Sequence, residues 1–537
     1  MANTGTLQQS APRKLPVGIQ SFEKIIENHN IYVDKTEYID SLAGSGKQYF
    51  LSRPRRFGKS LLLSTFRAYW EGKQDLFAGL QIARIEAQKE RPWKKHPVFY
   101  FDFNGKNYQQ ENALEDVLDM HLREWENVYG DQFRNRSLEE RFQKLLVMAY
   151  TQSGERCVVL VDEYDKPLLE VMHDPEREDH NKAVFKGFFS ILKSADELIQ
   201  FVFITGVTKF SKISIFSDLN QLNDISFSRA YAGICGITEE EMTSEFLPEI
   251  MQMAENLEIS SEECIEKLRS TYDGYCFHQN AERVYNPFSL LKALYEKEFG
   301  FYWFETGTPT FLVRKLKAIN FDVRQFTNHE LFATERMLSD YHADNPDPIP
   351  LLFQTGYLTI GDYNKAGDYY ILSVPNDEVK YGLLESLMPE YMPASEAVGN
   401  HIIRLKRCAE TGNTSGMRDI LTALFASLPY TGADDPFENY FQSVLYIVFT
   451  LLGQYIRTEV QSAHGRADCV LETEKFIYLF EFKRNGSAEE ALTQIEEKGY
   501  ANSYLADDRT LYKIEISFDT NKRSLKEWKE KKVDPRI

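Results

Sequence analysis

The chain has 537 residues, of which 43% are hydrophobic and 13% aromatic, and its formal net charge is −19. This length exceeds what a single hydrophobic core supports, so several domains are expected. The acidic balance argues against a protein that coats nucleic acid non-specifically, although a local basic groove remains compatible with it. No apolar run approaches the ~18–20 residues that a membrane span requires.

Six cysteines are scattered along the chain without a Cys-x-x-Cys pair. Their spacing favours free thiols in a reducing compartment over a disulfide framework or a zinc site. Residues 1–12 lack the apolar stretch of a secretory signal and are expected to form a disordered tail. These observations predict a cytoplasmic protein.

The stretch YFLSRPRRFGKS, from Tyr49 to Ser60, places an apolar run before a turn that ends in Gly-Lys-Ser, and an apolar helix pattern follows. This order is typical of a phosphate-binding loop, in which Lys59 reaches the β- and γ-phosphates and the Ser60 hydroxyl binds Mg²⁺. The strict pattern has a glycine where this chain has Arg53, so the match is incomplete. An ordinary basic turn before a core helix is the alternative.

A second stretch, RCVVLVDEYD from Arg156 to Asp165, predicts a buried strand that ends in carboxylates. Ligands of parallel sheets bind at the carboxyl ends of the strands. Asp162 is placed to hold Mg²⁺ through water, and Glu163 is placed to polarise the water that attacks the γ-phosphate. A solvated acidic turn after a core strand is the alternative, and the two stretches together favour the nucleotide site.

Two further strands are predicted at residues 96–103 and 199–206, and polar residues follow the second of them. Strands that alternate with helices predict a three-layer α/β sandwich. Thr238 to Glu241 form a capping box that opens a mostly helical segment, which continues to about residue 318. Between about residues 331 and 387, a helix end, a strand, a turn at residues 364–368 and a returning strand predict a winged-helix-like module. Acidic residues around its hairpin favour a packing or protein-contact role.

The C-terminal part begins near residue 434 with FENYFQSVLYIVFTLL, which is apolar at helical spacing, and three predicted strands follow. In FEFK the strand period of two places Glu481 and Lys483 on one side of the third strand. Charges beside an apolar strand need partners, and Asp468 supplies a second carboxylate. The alternative is a Glu–Lys ion pair in a non-catalytic domain. The basic run at residues 522–532 is expected to form a solvated helix face.

These motifs resemble a bacterial AAA-ATPase-like family that carries RPRRFGKS in its phosphate loop and a nuclease-type domain at its C-terminus. The resemblance rests on RPRRFGKS (53–60), VVLVDEYD (158–165), FITGVTKFSKIS (203–214), GRAD (465–468) and EFK (481–483). It implies that the missing first glycine is a variant shared by the family. It also implies that the strand at residues 199–206 lies between the two motif strands and that Thr205 or Thr208 senses the γ-phosphate. A plain helix cap is the alternative role for these threonines.

The same resemblance assigns the C-terminal residues to the D…(D/E)xK core of the restriction-endonuclease-like nucleases. It implies that Asp468 and Glu481 bind Mg²⁺ together with the scissile phosphate and that Lys483 orients or activates the attacking water. Glu438, Arg466 and Gln494 become auxiliary residues of this site.

The resulting expectation is a multidomain α/β protein with an ASCE-type P-loop ATPase core and a restriction-endonuclease-like C-terminal domain. The expected parts are a tail (1–12), an AAA-ATPase-like P-loop domain (13–237), a helical lid (238–318), a winged-helix-like connecting region (319–430) and a PD-(D/E)xK nuclease-like domain (431–537). The expected nucleotide-binding residues are Arg55, Arg56, Phe57, Gly58, Lys59, Ser60, Asp162, Thr205 and Thr208.

The predicted function is ATP hydrolysis coupled to Mg²⁺-dependent phosphodiester cleavage, with ATP and Mg²⁺ as cofactors. DNA is the expected nucleic acid, no membrane is involved, and an oligomer is compatible with the sequence. The alternative is an ATPase that serves as a signalling or scaffold protein, in which the nuclease-like domain is inactive and binds a partner.

Overall fold

The computed structural model describes residues 13–89, 93–172, 174–209, 222–305, 310–319, 321–326, 331–339, 347–391, 396–426, 437–453, 457–460, 469–484, 504, 507–519 and 524–533. Its contacts divide the chain into two compact units. The first unit contains Met1–Trp303 and Ala333–Asn376, and the second contains Phe304–Phe332 and Asp377–Ile537.

The helices of the described residues alternate with strands in the first part of the chain and prevail between residues 239 and 452. In chain order they are α1 (Phe22–Glu27), α2 (Glu37–Ser45), α3 (Lys59–Trp70), α4 (Gln81–Gln88), α5 (Ala113–Tyr129), α6 (Leu138–Ser153), α7 (Lys166–Leu169), α8 (Pro175–Ser194), α9 (Glu239–Asn256), α10 (Ser261–Tyr272), α11 (Pro287–Glu296), α12 (Tyr302–Glu305), α13 (Thr310–Ala318), α14 (Glu335–Ser339), α15 (Ile349–Thr355), α16 (Asp377–Tyr391), α17 (Glu396–Glu410), α18 (Thr414–Ala426) and α19 (Phe437–Leu452).

The strands form two five-stranded sheets and a smaller three-stranded sheet. They are β1 (Gln48–Ser52), β2 (Val98–Asp102), β3 (Cys157–Asp162), β4 (Ile199–Gly206), β5 (Asn223–Asp224), β6 (Leu331–Ala333), β7 (Thr359–Asn364), β8 (Tyr369–Ser373), β9 (Arg457–Val460), β10 (Cys469–Glu472), β11 (Phe476–Arg484), β12 (Thr510–Asp519) and β13 (Ser524–Val533). The three-stranded sheet has the order β6-β8-β7.

The sheet of the first unit has five parallel strands in the order β2-β3-β4-β1-β5. Strand β4 therefore lies between the two motif strands, as the family resemblance implied. The register aligns Ser52 with Gly206 and Asp102 with Asp162. The carboxyl ends of four strands consequently meet at one edge of the sheet, where parallel sheets bind their ligands.

Helices cover both faces of this sheet, which confirms the three-layer sandwich. On one face, Phe99 and Phe101 of β2 pack against α5, where the Trp125 ring lies 4.9 Å from Phe99 and 4.8 Å from Phe101. On the other face, Phe203 of β4 packs against Phe66 of α3 with ring centroids 4.9 Å apart. Strands β1, β3 and β4 are buried on both faces, and this explains their continuous apolar sequences.

The helical segment that follows the sheet begins at the predicted capping box. The Thr238 hydroxyl accepts a hydrogen bond from the Glu241 backbone N–H, and the Glu241 carboxylate accepts one from the Thr238 N–H. Helices α9, α10 and α11 pack around a shared core that includes Phe246, Leu268 and Tyr285, all buried. The predicted β-hairpin is also present, with β7 and β8 antiparallel.

The sheet of the second unit has the order β13-β12-β11-β10-β9, in which only the β11–β12 pair is parallel. One face of β11 packs against α19, where Phe449 lies 5.1 Å from Phe480. On the same face the Tyr478 hydroxyl donates to the Ala409 carbonyl oxygen at 2.6 Å. This arrangement contains the predicted helix followed by three strands.

The predicted helix face at residues 522–532 is wrong. Residues Ser524–Val533 form β13, an edge strand that pairs antiparallel with β12 and sets Lys529 opposite Glu515. A run of lysines has the same sequence appearance on a helix face and on an exposed edge strand, where charges hinder further strand pairing. Residues 524–533 form a strand because they pair with the edge of β12, and the local sequence pattern does not show that this edge is available.

All six cysteines are free thiols; five are buried and Cys408 is partly exposed. Within the described ranges, no helix is both long enough and apolar enough to cross a bilayer.

Candidate functional site

The phosphate loop connects β1 to α3, and its last residue before the helix has a left-handed backbone. Gly58 has φ of 90° and occupies the N-cap position of α3, which begins at Lys59. Glycine adopts this conformation without steric cost, which explains the glycine at position 58. Residues Lys59 and Ser60 therefore form the first helical turn, where free backbone N–H groups favour phosphate oxygens.

The Lys59 side chain is enclosed by its own loop. Its exposed fraction is 3%, and Nζ donates hydrogen bonds to the carbonyl oxygens of Arg53 and Pro54, both at 3.1 Å. Nζ also lies 4.0 Å from Glu163 Oε1. The ammonium group thus stands between the phosphate loop and the carboxylate that follows β3.

Asp162 is buried at the end of β3 and receives hydrogen bonds from two neighbouring strands. Thr205 Oγ1 donates to its Oδ1 at 2.8 Å, and the Tyr100 hydroxyl donates to its Oδ2 at 3.3 Å. Burial and the adjacent Glu163 raise the pKa of Asp162, while hydrogen bonds from Ser60 and Thr205 oppose that rise.

Ser60 and Asp162 fit a magnesium ion. Their side chains contact each other, and a hydroxyl and a carboxylate are oxygen ligands of the kind that Mg²⁺ prefers. Both residues line a cavity of about 300 Å³, together with Tyr100, Asp102 and Arg67. The cavity keeps this pair accessible although Asp162 itself is 1% exposed.

Glu163 differs from Asp162 in both backbone and exposure. Its φ is 54°, a left-handed conformation that is uncommon for residues other than glycine, and its side chain is 23% exposed. Non-glycine residues in this region carry strain, which clusters at functional sites. The turn directs Glu163 towards Lys59, while Asp162 remains in the strand.

The two sensor candidates contact different carboxylates. Thr205 donates to Asp162, whereas Thr208 donates to Asp165 Oδ2 through its N–H at 2.6 Å and its hydroxyl at 2.8 Å. Asp165 is fully buried, and desolvation together with Glu163 raises its pKa to about 6. Thr205 thus contacts the carboxylate that also contacts Ser60, and Thr208 belongs to a turn that Asp165 holds.

Arg53, at the position of the missing glycine, has a structural environment that the sequence does not predict. It is 1% exposed, and its guanidinium donates to the carbonyl oxygens of Ser52, Ser226 and Tyr231. It also lies 3.9 Å above the Phe277 ring, and burial lowers its pKa to about 10. The only sequence signal was the mismatch to the common pattern.

The remaining loop residues of the prediction contact the helical segment. Phe57 is buried with its ring 4.7 Å from Tyr275, and the Arg56 guanidinium lies 4.8 Å above Phe288. The Arg55 carbonyl oxygen accepts a hydrogen bond from the Trp303 indole at 3.2 Å.

The second candidate site is centred on Glu481 in β11. This carboxylate is 5% exposed and lies on the face of the strand opposite Phe480. Asp468, Arg466 and Gln494 lie outside the described residues. Glu438 and Lys483 belong to α19 and β11, but their side chains are also outside the described part.

The sheet register gives Glu481 an acidic neighbour that the sequence reading missed. Glu515 of β12 pairs with Glu481 in the parallel ladder and is fully buried. Alternate polar residues within LYKIEISF, namely Lys513, Glu515 and Ser517, were the signal for a polar face on this strand. On its other side β11 pairs with β10, and Cys469 lies opposite Phe480. In the sequence, Asp468 precedes Cys469 and Glu481 follows Phe480.

Comparisons with known proteins agree with this architecture. Residues 16–216 match a family model described as a predicted AAA-ATPase, and residues 436–528 match the model of the PD-(D/E)XK nuclease superfamily. A protein of Azotobacter chroococcum mcd 1, named as an uncharacterized protein in the vnfD 5' region, is 37% identical over 525 residues. The match covers 96% of this chain and 98% of that protein. The chain therefore belongs to a family of AAA-ATPase-like proteins that carry a C-terminal PD-(D/E)XK nuclease-superfamily domain.

Proposed function

We propose that the first unit binds and hydrolyses ATP. The observation that carries this proposal is the convergence of Lys59, Asp162, Glu163 and Thr205 at the carboxyl ends of adjacent strands. A lysine from a loop at a helix N-terminus and a carboxylate pair from the neighbouring motif strand are the groups that phosphoryl transfer to water requires.

Each group has a distinct task in this proposal. Lys59 would exchange its loop carbonyl partners for β- and γ-phosphate oxygens, and Ser60 with Asp162 would hold Mg²⁺, which neutralises phosphate charge when bound. Glu163, turned out of the strand and partly exposed, would accept a proton from the attacking water. Thr205 would keep the Asp162 carboxylate oriented through its hydrogen bond.

The test separates binding from hydrolysis. Lys59→Ala should abolish ATP binding in calorimetry, because it removes the ammonium group that the loop carbonyls hold at the start of α3. Glu163→Gln should bind ATP with near wild-type affinity and lose about 10²–10⁴-fold in turnover, as removal of a general base typically does. Wild-type affinity in Lys59→Ala would overturn the site.

We infer further that the second unit is a Mg²⁺-dependent nuclease and that DNA is its substrate. Two observations support this inference. Glu481 is buried and follows Phe480, which pairs with Cys469 of β10, and the chain matches the nuclease-superfamily model. Asp468 and Glu481 would hold the metal, and Lys483 would orient the attacking water. Glu438, Arg466 and Gln494 remain proposed auxiliary residues.

Coupling between the two activities is the last element of the proposal. Cleavage of linear and supercoiled DNA should be measured with Mg²⁺ in the presence and absence of ATP, and Glu481→Ala provides the matched negative control. ATP-dependent cleavage that disappears in Glu481→Ala supports a nucleotide-gated nuclease. Equal residual cleavage in wild type and Glu481→Ala favours the alternative, in which the nuclease-like domain binds a partner and the chain works as a signalling or scaffold ATPase.

A further inference from the structure

The phosphate loop is held along its whole length by residues outside the five-stranded sheet. Arg53, Pro54, Arg55, Arg56 and Phe57 each contact at least one residue beyond position 225. A loop that must fold around phosphates is therefore pre-shaped by a distant part of the chain.

Arg53 fixes the start of the loop. Its guanidinium joins the Ser52 carbonyl of β1 to the carbonyls of Ser226 and Tyr231, and its planar group lies on Phe277. A buried charge that donates to three carbonyl oxygens and lies on an aromatic ring costs much to displace. The residue that replaces a flexible glycine thus anchors the loop.

Four aromatic residues of the helical segment hold the rest of the loop, and we call them the aromatic collar: Tyr275, Phe277, Phe288 and Trp303. The Phe57 ring meets Tyr275 at 4.7 Å and Phe277 at 5.6 Å in edge contacts. Trp303 donates to the backbone of the loop and not to a side chain, so it fixes the path of the main chain.

The contacts around Arg53 and Pro54 also affect the position of the Lys59 side chain. The two carbonyl oxygens that Lys59 Nζ binds belong to Arg53 and Pro54, the loop residues that Phe277 and Gly356 contact from outside. Displacement of Arg53 from Phe277 would move the carbonyl groups that set the position of the ammonium.

We propose that Arg53 and the aromatic collar are positioning residues for the nucleotide site, so that packing of the collar sets the fraction of molecules with a binding-competent phosphate loop. This inference rests on the proposed ATP site. When only a fraction of molecules is competent, the apparent Kd rises by the inverse of that fraction, while turnover of the bound complex changes little.

Phe277→Leu tests the proposal, because it removes the aromatic face under Arg53 and the edge contact with Phe57 but keeps an apolar side chain at a half-buried position. We expect the Kd and KM for ATP to rise tenfold or more, with kcat within threefold of wild type. Phe277→Tyr, which keeps both ring contacts, should restore the affinity. In the absence of nucleotide, amide hydrogen exchange at residues 55–58 should accelerate in Phe277→Leu.

Phe299→Leu is the matched control. Phe299 belongs to the same helical segment, stacks on Tyr272 in its core and is not part of the aromatic collar. This variant should lose stability without changing ATP affinity or loop exchange. Unchanged ATP affinity and unchanged exchange at residues 55–58 in Phe277→Leu would overturn the proposal. The exchange measurement decides even if wild-type protein fails to bind ATP, an outcome that would instead refute the proposed function.

Discussion

The hydroxyl of Thr205 donates a 2.8 Å hydrogen bond to Oδ1 of Asp162, and this bond joins the carboxyl ends of β4 and β3. Thr208, three residues later, is bonded to Asp165 instead. Asp162 and Asp165 therefore each accept a hydrogen bond from one threonine, Thr205 in β4 and Thr208 just after it. The two threonines differ in their partners, which makes their roles separable.

Thr205→Val should slow ATP hydrolysis by about tenfold, because valine keeps the shape and removes the donor that orients Asp162; the loss of one buried hydrogen bond corresponds to about 1–2 kcal/mol. ATP affinity should change less than threefold. Thr208→Val is the paired variant and should reduce stability more than turnover. Steady-state kinetics of ATP hydrolysis should compare the two variants. A larger loss of kcat in Thr208→Val than in Thr205→Val would assign the sensor role to Thr208.

Asp165 should make the stability of the first unit depend on pH. Its pKa is raised to about 6 from an ordinary value of 3.8, so the folded state favours the protonated acid. The free energy of unfolding should fall as pH rises from about 4 to about 6 and then level off, with a total loss of about 3 kcal/mol. Below pH 4 the penalty is absent, because both states are protonated.

Asp165→Asn imitates the protonated acid and should remove this dependence. Urea titrations at pH 4 and pH 7 should show that the variant gains on wild type as pH rises, because its side chain has no charge to desolvate. A difference between variant and wild type that stays constant across this range would show that Asp165 ionises normally in the folded protein.

Much of the first unit follows from sequence because its signals are local. The buried runs of β1, β3 and β4, the left-handed Gly58 and the capping box at Thr238 each need only a few neighbouring residues. The strand order also agreed with the resemblance. The proposed roles of the site residues remain predictions.

The missed features depend on residues far apart in the chain. Arg53 is explained by carbonyl oxygens at positions 226 and 231, and the neighbour of Glu481 is set by the register with β12. The strand at Ser524–Val533 was expected to be a helix because lysine spacing does not report an open sheet edge. Pairing partners at such separations leave no trace in a sequence window.

Gly356→Ala should impair both stability and ATP binding. A Cβ at this position would lie 2.7 Å from Pro54 Cβ, and φ is 92°. The strained backbone costs about 1–2 kcal/mol, and the close approach to the phosphate loop adds to it. Gly79→Ala isolates the backbone term, because Gly79 has φ of 85° and no atom within 4 Å of its Cβ position. Equal effects of both variants on ATP affinity, measured by calorimetry, would contradict a contact-based explanation.

Glu481→Gln should weaken binding of Mn²⁺ or Mg²⁺ to the second unit by at least tenfold, because it removes one anionic ligand. Lys483→Ala should leave metal affinity unchanged and abolish cleavage, since an ammonium group is not a ligand. Glu530→Gln is the control. Glu530 is exposed and pairs with Ile514, so it lies on the face of the sheet opposite to Glu481. Calorimetric titration with the metal alone decides. Intact metal binding in Glu481→Gln would refute the site.

The positions of the six cysteine thiols allow the unfolding of the protein to be followed by chemical labelling. Cys157, Cys235, Cys264 and Cys276 belong to the first unit, and Cys408 and Cys469 belong to the second. A thiol-specific reagent will react first with Cys408, and each buried cysteine will be modified only as fast as its surroundings open. Mass spectrometry of the labelled peptides can therefore follow the unfolding of both units in one unmodified sample, without an introduced probe.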